Sequence, residues 1–311
     1  MSAPARRAES RSAAPAVERL RVRCPAKINL GLWILGRRAD GYHEVDTFLQ
    51  AISLEDQILI ERGPAGLSLE TAGLPIRGPG PNLIERAWAL LGETGALPAG
   101  AGVRARLVKR IPPGSGLGGG SSDAAGFLAG VDRLLALNLG PEALAALAGR
   151  LGSDAPFFLR GGLARATGRG ERVRHLCPIA PFWVVLATPA TAISTTWAYG
   201  QIKNRLTPNG EGARVLASAI TRRDLHGVAN AMSNAFEGVI LPHLPGIAEL
   251  KRALVSSGAI GALLSGSGST VFGVSQSLSE AQAVLNAVGN RGAELRIARS
   301  IEHGAVVSRA G

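Results

Sequence analysis

Hydrophobic and polar positions alternate along the first patterned segment of the chain, residues 21–35. One face carries apolar side chains, namely Ala26, Ile28, Leu30, Leu32 and Ile34. The other face carries Lys27 and Asn29. A period of two is typical of a β-strand, in which successive side chains point to opposite faces. The pattern therefore predicts that the ammonium of Lys27 and the amide of Asn29 lie side by side.

The rest of the chain predicts alternating strands and helices, without an internal repeat or a low-complexity linker. Further strands are predicted at 45–52, 57–61, 103–110, 162–167, 182–187 and 271–274. Helices are predicted at 82–91, 121–138, 141–151, 212–221, 225–238 and 246–256, with a last helix and strand near the end. The helix at 121–138 places Phe127, Val131, Leu134 and Leu135 on one face, as a core-facing helix does.

A glycine-rich loop is the most informative local feature of the sequence. It comprises Pro112, Pro113, Gly114, Ser115, Gly116, Leu117, Gly118, Gly119, Gly120, Ser121 and Ser122. Glycine tolerates positive φ, so such a loop can turn successive backbone N–H groups toward one anion. The helix that follows would aim its positive dipole end at the same point, with Ser121 or Ser122 capping it or reaching a metal. The loop is predicted to bind phosphate.

The spacing of the glycines argues against two other nucleotide-binding motifs. No Gly-Lys-Ser/Thr follows the glycines, so the loop is not a Walker A loop. Gly114, Gly116 and Gly119 do satisfy G-x-G-x-x-G. A dinucleotide site would need a second strand ending in an acidic residue about twenty positions on, and a second helix is predicted there instead. A plain flexible loop is the remaining alternative, although linkers seldom lead into an amphipathic helix.

Composition narrows the class of protein. The 311 residues are 46% hydrophobic, but no apolar run reaches the roughly eighteen residues of a membrane span. Two cysteines, Cys24 and Cys177, are too few for a disulfide framework, so we expect a cytoplasmic protein. The net charge is +11, but the sequence has no zinc-ligand spacing, RNA-binding aromatic signature or evident basic recognition helix. The positive charge therefore indicates phosphorylated substrates rather than nucleic acid. Residues 1–18 read as a flexible Arg/Ala/Ser-rich tail.

Three segments together resemble the GHMP superfamily of small-molecule kinases. They are residues 25–30 (Pro-Ala-Lys-Ile-Asn-Leu), the glycine-rich loop, and residues 265–272 (Ser-Gly-Ser-Gly-Ser-Thr-Val-Phe). The resemblance implies an α+β, two-domain GHMP kinase fold. Residues 19–172 would form a ribosomal-protein-S5-like α/β domain that binds ATP, and residues 173–311 a ferredoxin-like α/β domain.

Two more segments, 38–43 (Arg-Ala-Asp-Gly-Tyr-His) and 152–158 (Gly-Ser-Asp-Ala-Pro-Phe-Phe), resemble members that act on a cytidine-diphosphate-linked polyol. This implies transfer of phosphate from ATP to the 2-hydroxyl of such a methylerythritol, in the non-mevalonate route to isoprenoids. By resemblance Asp154 is the catalytic carboxylate and Lys27 its partner. From local sequence alone, Asp154 reads as ordinary turn and cap chemistry, and a lone lysine on a strand is usually solvated.

The same resemblance implies the remaining site residues. Asn29, Tyr42, His43 and Tyr199 would bind the cytidyl substrate, with Trp197 as an alternative to Tyr199. Gly266, Ser267 and Gly268 would line the substrate side or simply turn tightly. Asn82 and Lys109 would lie near the adenosine. No direct metal ligand is assignable, so Mg²⁺ would be held mainly by ATP, with Ser122 as a contact.

Partners are expected to be small molecules, with no nucleic acid or membrane, and the chain a monomer or weak homodimer. Other GHMP kinases, acting on mevalonate derivatives, homoserine or a sugar, are the alternative in the same class. A non-catalytic nucleotide-binding relative is the alternative from another class, although the presence of both Lys27 and Asp154 argues against it.

Overall fold

The computed structural model describes residues 19–76, 80–202 and 210–310, so the predicted tail of residues 1–18 lies outside the described residues. The described strands are β1 (Arg19–Arg37), β2 (His43–Arg62), β3 (Gly66–Gly73), β4 (Gly102–Lys109), β5 (Leu163–Gly168), β6 (Arg172–His175), β7 (Trp183–Pro189), β8 (Ser233–Asn234), β9 (Gly261–Leu264), β10 (Val271–Ser275), β11 (Ala293–Arg299) and β12 (Val306–Arg309).

The described helices alternate with these strands, as the sequence predicts. They are α1 (Leu83–Glu93), α2 (Gly119–Leu135), α3 (Gly140–Leu151), α4 (Ala155–Arg160), α5 (Thr195–Gln201), α6 (Glu211–Thr221), α7 (Leu225–Ala231), α8 (Glu237–His243), α9 (Pro245–Ser256) and α10 (Leu278–Val288). The mixed α+β architecture is therefore confirmed.

The first sheet is built around the long antiparallel pair of β1 and β2. Its strand order is β12-β1-β2-β4-β3, with β5 and β8 pairing β2 and β1, and β6 pairing β5. The register between β1 and β2 shifts at Pro25/Ala26, where proline cannot donate to the ladder. The two extended segments predicted at 45–52 and 57–61 are one continuous strand, β2, across this irregularity.

Helix α2 packs its apolar face on this sheet. All four residues predicted for that face are buried, and Phe127, Val131 and Leu134 share a core with Val22 and Ile60. Burial of each such side chain stabilises the fold by about 1.5–3 kcal/mol. This packing fixes the start of α2, and hence the end of the glycine-rich loop, against β1 and β2.

The second sheet has four strands in the antiparallel order β11-β7-β10-β9. A shared core joins it to the first sheet, because Ile28 and Phe48 lie in the same cluster as Phe182, Leu263 and Phe272. Strands β8 and β12 pair with β1, so the chain after residue 173 contributes to both sheets. The domain boundary at 172/173 stays a prediction.

Two local predictions were wrong. The helix predicted at 225–238 is two helices, α7 and α8, separated by β8, because Asn234 pairs with β1 and its side chain binds neighbouring backbone groups. The helix after the glycine-rich loop is not capped by Ser121 or Ser122. It begins at Gly119, its N-cap is Gly118 in the left-handed region, and no side-chain cap hydrogen bond is made there.

Candidate active site

A cleft of about 1050 Å³ opens between β1, the glycine-rich loop and the loop between β9 and β10. Most of the residues singled out in the sequence line it. These are Lys27, Asn29, Tyr42, His43, Pro112, Pro113, Gly114, Ser115, Gly116, Gly118, Gly119, Gly120, Ser121, Asp154, Tyr199, Gly266 and Ser267. Leu117, Ser122, Asn82, Lys109 and Gly268 are not among its lining residues. The structure thus brings together segments that are far apart in the sequence.

The side chains of Lys27 and Asp154 meet in this cleft. Lys27 Nζ lies 3.4 Å from Asp154 Oδ2 and donates to Asn29 Oδ1 at 2.7 Å. Lys27 and Asn29 are neighbours because they occupy alternate positions on β1, as the strand pattern predicts. The ammonium therefore lies between the amide oxygen of Asn29, to which it donates, and the carboxylate of Asp154.

A further hydrogen bond fixes Asn29 in turn. Its Nδ2 donates to Thr47 Oγ1 at 2.8 Å, and the Thr47 hydroxyl donates to the Gly31 carbonyl at 2.7 Å. Thr47 lies on β2 and is buried. Thr47 was not predicted from the sequence, because only the pairing of β1 with β2 brings it to Asn29.

Asp154 occupies the N-cap position of α4, yet its side chain makes no cap hydrogen bond. About a third of its side chain is exposed, against 4% for Lys27. If Asp154 served only as a helix cap, its carboxylate would accept hydrogen bonds from the first amides of α4. Instead the carboxylate faces the cleft beside the ammonium.

The glycine-rich loop packs tightly against its surroundings, and two of its glycines are required by space. Gly116 has φ +81°, and a Cβ there would lie 2.0 Å from the Ser265 carbonyl oxygen. Gly118 has φ +74°, and a Cβ there would lie 2.8 Å from the ring of Phe158. Both positions have the positive φ that favours glycine, and at Gly116 a side chain would also collide with a backbone oxygen.

One backbone hydrogen bond and one side-chain hydrogen bond join this loop to the loop between β9 and β10. Thr270 N donates to the Ser115 carbonyl at 3.0 Å, and Ser265 Oγ donates to the Gly116 carbonyl at 3.0 Å. On the other side, Lys27 N donates to the Leu117 carbonyl at 3.0 Å. Leu117 is buried below the loop, which explains why it does not line the cleft.

The loop between β9 and β10 is itself held in place by two residues, Asn234 and Glu237, that were not singled out as site residues from the sequence. The buried Asn234 donates from Nδ2 to the carbonyls of Leu264 and Gly266, at 2.7 and 2.8 Å. Glu237 accepts the amide of Leu264 at 3.0 Å and pairs with Lys251 at 2.6 Å. The segment 234–237 thus holds Gly266 and Ser267 at the edge of the cleft.

Aromatic side chains gather in one region of the cleft, which we call its aromatic end. The rings of His43 and Tyr199 stack with centroids 5.1 Å apart, and Tyr199 meets Phe236 edge-on at 4.9 Å. Tyr42 is 54% exposed, and the Arg169 guanidinium lies 4.8 Å from the centroid of its ring. Trp197, the alternative to Tyr199, lies against His243 and does not line the cleft.

The shifts in pKa of the stacked His43 and Tyr199 both favour the neutral form. Burial, with the charge of Arg37, lowers the pKa of His43 below its ordinary value. Burial, with the charge of Asp154, raises the pKa of Tyr199 well above its ordinary value. The cleft end therefore offers neutral aromatic groups with polar edges, which suits a heterocyclic base.

Asn82 and Lys109, expected near the adenosine, have structural contacts instead of cleft contacts. Asn82 caps α1 through a capping box with Glu85. Lys109 is buried and donates to Asp56 and to Asp123, the latter at 2.7 Å. Burial works against its charge, but the two carboxylates outweigh burial and raise the pKa of Lys109.

Metal-binding groups are few in the described part of the chain. Residues 19–76, 80–202 and 210–310 hold no group of three or more His, Cys, Asp or Glu side chains placed to bind a metal ion. The hydroxyl of Ser122 is buried without a hydrogen-bond partner in the described structure, while Ser121 lines the cleft.

No helix of the described ranges combines the length and apolar character needed to cross a membrane.

Comparison with known proteins places these motifs in a family. Residues 82–162 match the family model described as GHMP kinases N terminal domain, and residues 216–294 match GHMP kinases C terminal. A protein of Pelotomaculum thermopropionicum, 4-diphosphocytidyl-2-C-methyl-D-erythritol kinase, is 43% identical over 263 residues, covering 83% of this chain and 90% of the relative. The chain belongs to the GHMP kinase family. A protein of the same name from Symbiobacterium thermophilum is 42% identical, covering 82% of this chain and 90% of the relative.

Solved GHMP kinase structures agree with this membership. The crystal structure of a 4-(cytidine 5'-diphospho)-2C-methyl-D-erythritol kinase matches with a TM-score of 0.74 at 34% identity, covering 90% of this chain and 98% of that one. A homoserine kinase from Cytophaga hutchinsonii also reaches 0.74, at 18% identity, covering 96% and 100%. The second match, at 18% identity, supports the fold alone. The predicted GHMP kinase fold is confirmed.

Proposed function

We propose that this GHMP kinase transfers the γ-phosphoryl group of ATP to the 2-hydroxyl of 4-diphosphocytidyl-2-C-methyl-D-erythritol, in the methylerythritol phosphate route to isoprenoids. The family is one of kinases, which implies ATP use and small-molecule substrates. The names of the relatives at 42–43% identity support this acceptor. The observation that carries the chemistry is the Lys27–Asp154 pair, 3.4 Å apart in the cleft.

In this proposal Asp154 is the general base. Its carboxylate accepts the proton of the 2-hydroxyl as that oxygen forms its bond to the γ-phosphorus, and the bond from phosphorus to the bridging oxygen of ADP breaks. Lys27 orients the carboxylate and stabilises the charge on the phosphoryl oxygens. Positioning and electrostatics carry most of the rate in phosphoryl transfer, so a rigidly held pair is what the reaction needs.

The glycine-rich loop and the start of α2 would bind the phosphates of ATP. With Gly118 as N-cap and no side-chain cap, the first amides of α2 are available to phosphate oxygens together with the positive end of the helix dipole. Mg²⁺ would be held mainly by the phosphate oxygens and water, with Ser121 and Asp154 among the oxygen-bearing side chains that line the cleft. The ion would offset the negative charge of the phosphates.

The aromatic end of the cleft would bind cytosine. Tyr42 and Tyr199 supply rings for stacking, and His43, being neutral, can exchange hydrogen bonds with the polar edge of the base. Asn29 would lie beside the polyol, and Gly266 and Ser267 would line its path. A base on the Tyr199 face now covered by His43 requires that ring to move, so this side chain is expected to rotate on binding.

A coupled ADP-release assay tests the proposal. Purified enzyme is given ATP and, separately, the cytidyl substrate, mevalonate, homoserine and galactose, with Asp154→Asn as control for contaminating kinases. We expect turnover with the cytidyl substrate alone and loss of it in the variant. Turnover on another acceptor would overturn the substrate assignment, and none on any would favour a nucleotide-binding protein without this activity.

A further inference from the structure

Three charged side chains form a buried cluster directly beneath the glycine-rich loop. We name Lys109, Asp56 and Asp123 the lysine triad; their side chains are 3%, 0% and 2% exposed. Lys109 Nζ donates to Asp56 Oδ2 and to Asp123 Oδ2, the second at 2.7 Å. The reaction described above makes no use of these groups. Buried charges are retained only where they are paired, so their placement calls for a reason.

The lysine triad ties together the two ends of the loop. Asp56 lies on β2, and its Oδ1 accepts the amides of Arg110 and Ile111, the residues that lead into the loop. Asp123 lies in α2, the helix that leaves the loop. Lys109, the last residue of β4, joins the two carboxylates. Entry and exit of the loop are therefore linked through one ammonium group.

The lysine triad also lies against the inner side of the loop. A Cβ built on Gly119 would lie 3.1 Å from Lys109 Nζ and 2.9 Å from Ile111 Cγ2. Gly119 itself lines the cleft, whereas none of the three charged residues does. One layer of backbone thus separates the ammonium from the space where we place the phosphates.

We propose that the lysine triad is a positioning device, which holds the glycine-rich loop in the conformation that binds the phosphates of ATP. This inference rests on the proposed function, because it takes the loop to be the phosphate site. A glycine-rich loop has many accessible conformations, and ordering it on binding costs affinity. Charge-assisted hydrogen bonds at both ends reduce that cost before the nucleotide arrives.

Electrostatics explain which variants can test this. The triad has two carboxylates for one ammonium, and burial, opposed by Lys109 and reinforced by Asp56, leaves the pKa of Asp123 raised. Lys109→Met would bury two carboxylates without a cation and endanger folding. Asp123→Ala instead leaves a one-to-one pair of Lys109 with Asp56 while it cuts the link to α2. Asp123→Asn keeps an oxygen that Lys109 can donate to.

The test compares phosphate-bearing and phosphate-free nucleosides. We expect Asp123→Ala to weaken ADP binding, measured by calorimetry, and to raise KM for ATP by about tenfold, as the loss of a charge-assisted hydrogen bond would. Adenosine affinity and KM for the cytidyl substrate should stay within about twofold, since neither depends on the loop amides. Asp123→Asn should restore most of the loss.

Arg165→Met is the matched control. It breaks the pair of Arg165 with the buried Asp46 in the same sheet, away from the loop, and should leave ADP binding unchanged while lowering stability. The inference is overturned if Asp123→Ala binds ADP as tightly as the parent, if Arg165→Met weakens ADP equally, or if adenosine binding falls as much as ADP binding. The last outcome would mean direct contact with the nucleoside. ADP binding needs no acceptor, so failure of the acceptor assignment leaves this test intact.

Discussion

Two lysine–carboxylate clusters lie on opposite sides of the glycine-rich loop, and they differ in access to solvent. Lys27 faces one partly exposed carboxylate across 3.4 Å, at the cleft. Lys109 faces two carboxylates that are fully buried. The first cluster can receive a substrate between or beside its charges, whereas the second is closed on all sides by protein. The same residue types thus serve chemistry in one place and loop geometry in the other.

The contrast shows why residue type and motif do not by themselves assign a role. Both lysines are on strands, both are almost fully buried, and both contact an aspartate. What separates them is the exposed third of Asp154, which opens the first cluster to the cleft. An account based on access predicts that perturbing the first cluster slows the chemical step without unfolding the protein, and that perturbing the second lowers stability and weakens nucleotide binding through the loop.

The largest expected effect is that of Asp154→Asn on the catalytic rate. The amide cannot accept the proton of the attacking hydroxyl, so kcat should fall by about 10²- to 10⁴-fold. Stability should change little, because Asp154 makes no cap hydrogen bond to α4. Steady-state kinetics with a melting curve for each protein check this. An unchanged kcat would remove Asp154 from the chemistry and break the contrast.

Lys109→Met is expected to have its main effect on stability. Removing the ammonium leaves Asp56 and Asp123 buried without a cation, which should lower the free energy of unfolding by about 3–5 kcal/mol. Urea titration followed by circular dichroism measures this loss. If the variant were as stable as the parent yet inactive, the lysine would belong with the reacting groups.

Much of this contrast was predictable from the sequence, but not all. The alternation of β1 fixed the neighbours Lys27 and Asn29, and the glycine spacing located the loop, because both are local patterns. The meeting of Lys27 with Asp154 was expected only by resemblance, since no local rule joins residues that far apart. Lys109 was expected near the adenosine, and its buried contacts depend on the packing of β2, β4 and α2.

Short elements escaped prediction for similar reasons. The side chains of β3 are largely exposed and do not alternate clearly between buried and exposed positions. Only the pairing of this segment with β4 identifies it as a strand. The break between α7 and α8 arises because Asn234 binds carbonyls of the loop after β9, a contact invisible to helical periodicity. Tertiary contacts override local propensity at such places.

A third prediction separates the two ends of the cleft. The variant with both Tyr42→Ala and His43→Ala should raise KM for the cytidyl substrate by about tenfold or more, because base stacking and edge hydrogen bonds are lost. KM for ATP should change by less than about twofold, since neither side chain belongs to the glycine-rich loop that we take to bind the phosphates. Initial-rate measurements with each substrate varied in turn decide the matter. Equal rises in both constants would contradict a role in base binding.

The smallest expected effect concerns the pKa of His43, a cleft-facing group. Burial and then Arg37 lower this pKa, so Arg37→Gln should raise it toward the ordinary value. Because the folded-state pKa is depressed, the unfolded chain binds the proton first, so stability falls as the pH drops below about 6.5, the ordinary pKa of histidine, toward the lower folded-state pKa. Titration of the imidazole by NMR measures the change. A lower pKa in the variant would show that Arg37 does not act on His43 by its charge.

The measurement that tests the central claim most directly is a mutant cycle on Lys27 and Asp154. Single-turnover rates are compared for the parent, Lys27→Met, Asp154→Asn and the double variant, with the cytidyl substrate and ATP both saturating. If the two side chains act as one unit on the transferring phosphoryl group, the double variant should be about as slow as the slower single variant. Losses that multiply would show that they act independently, and would contradict the account.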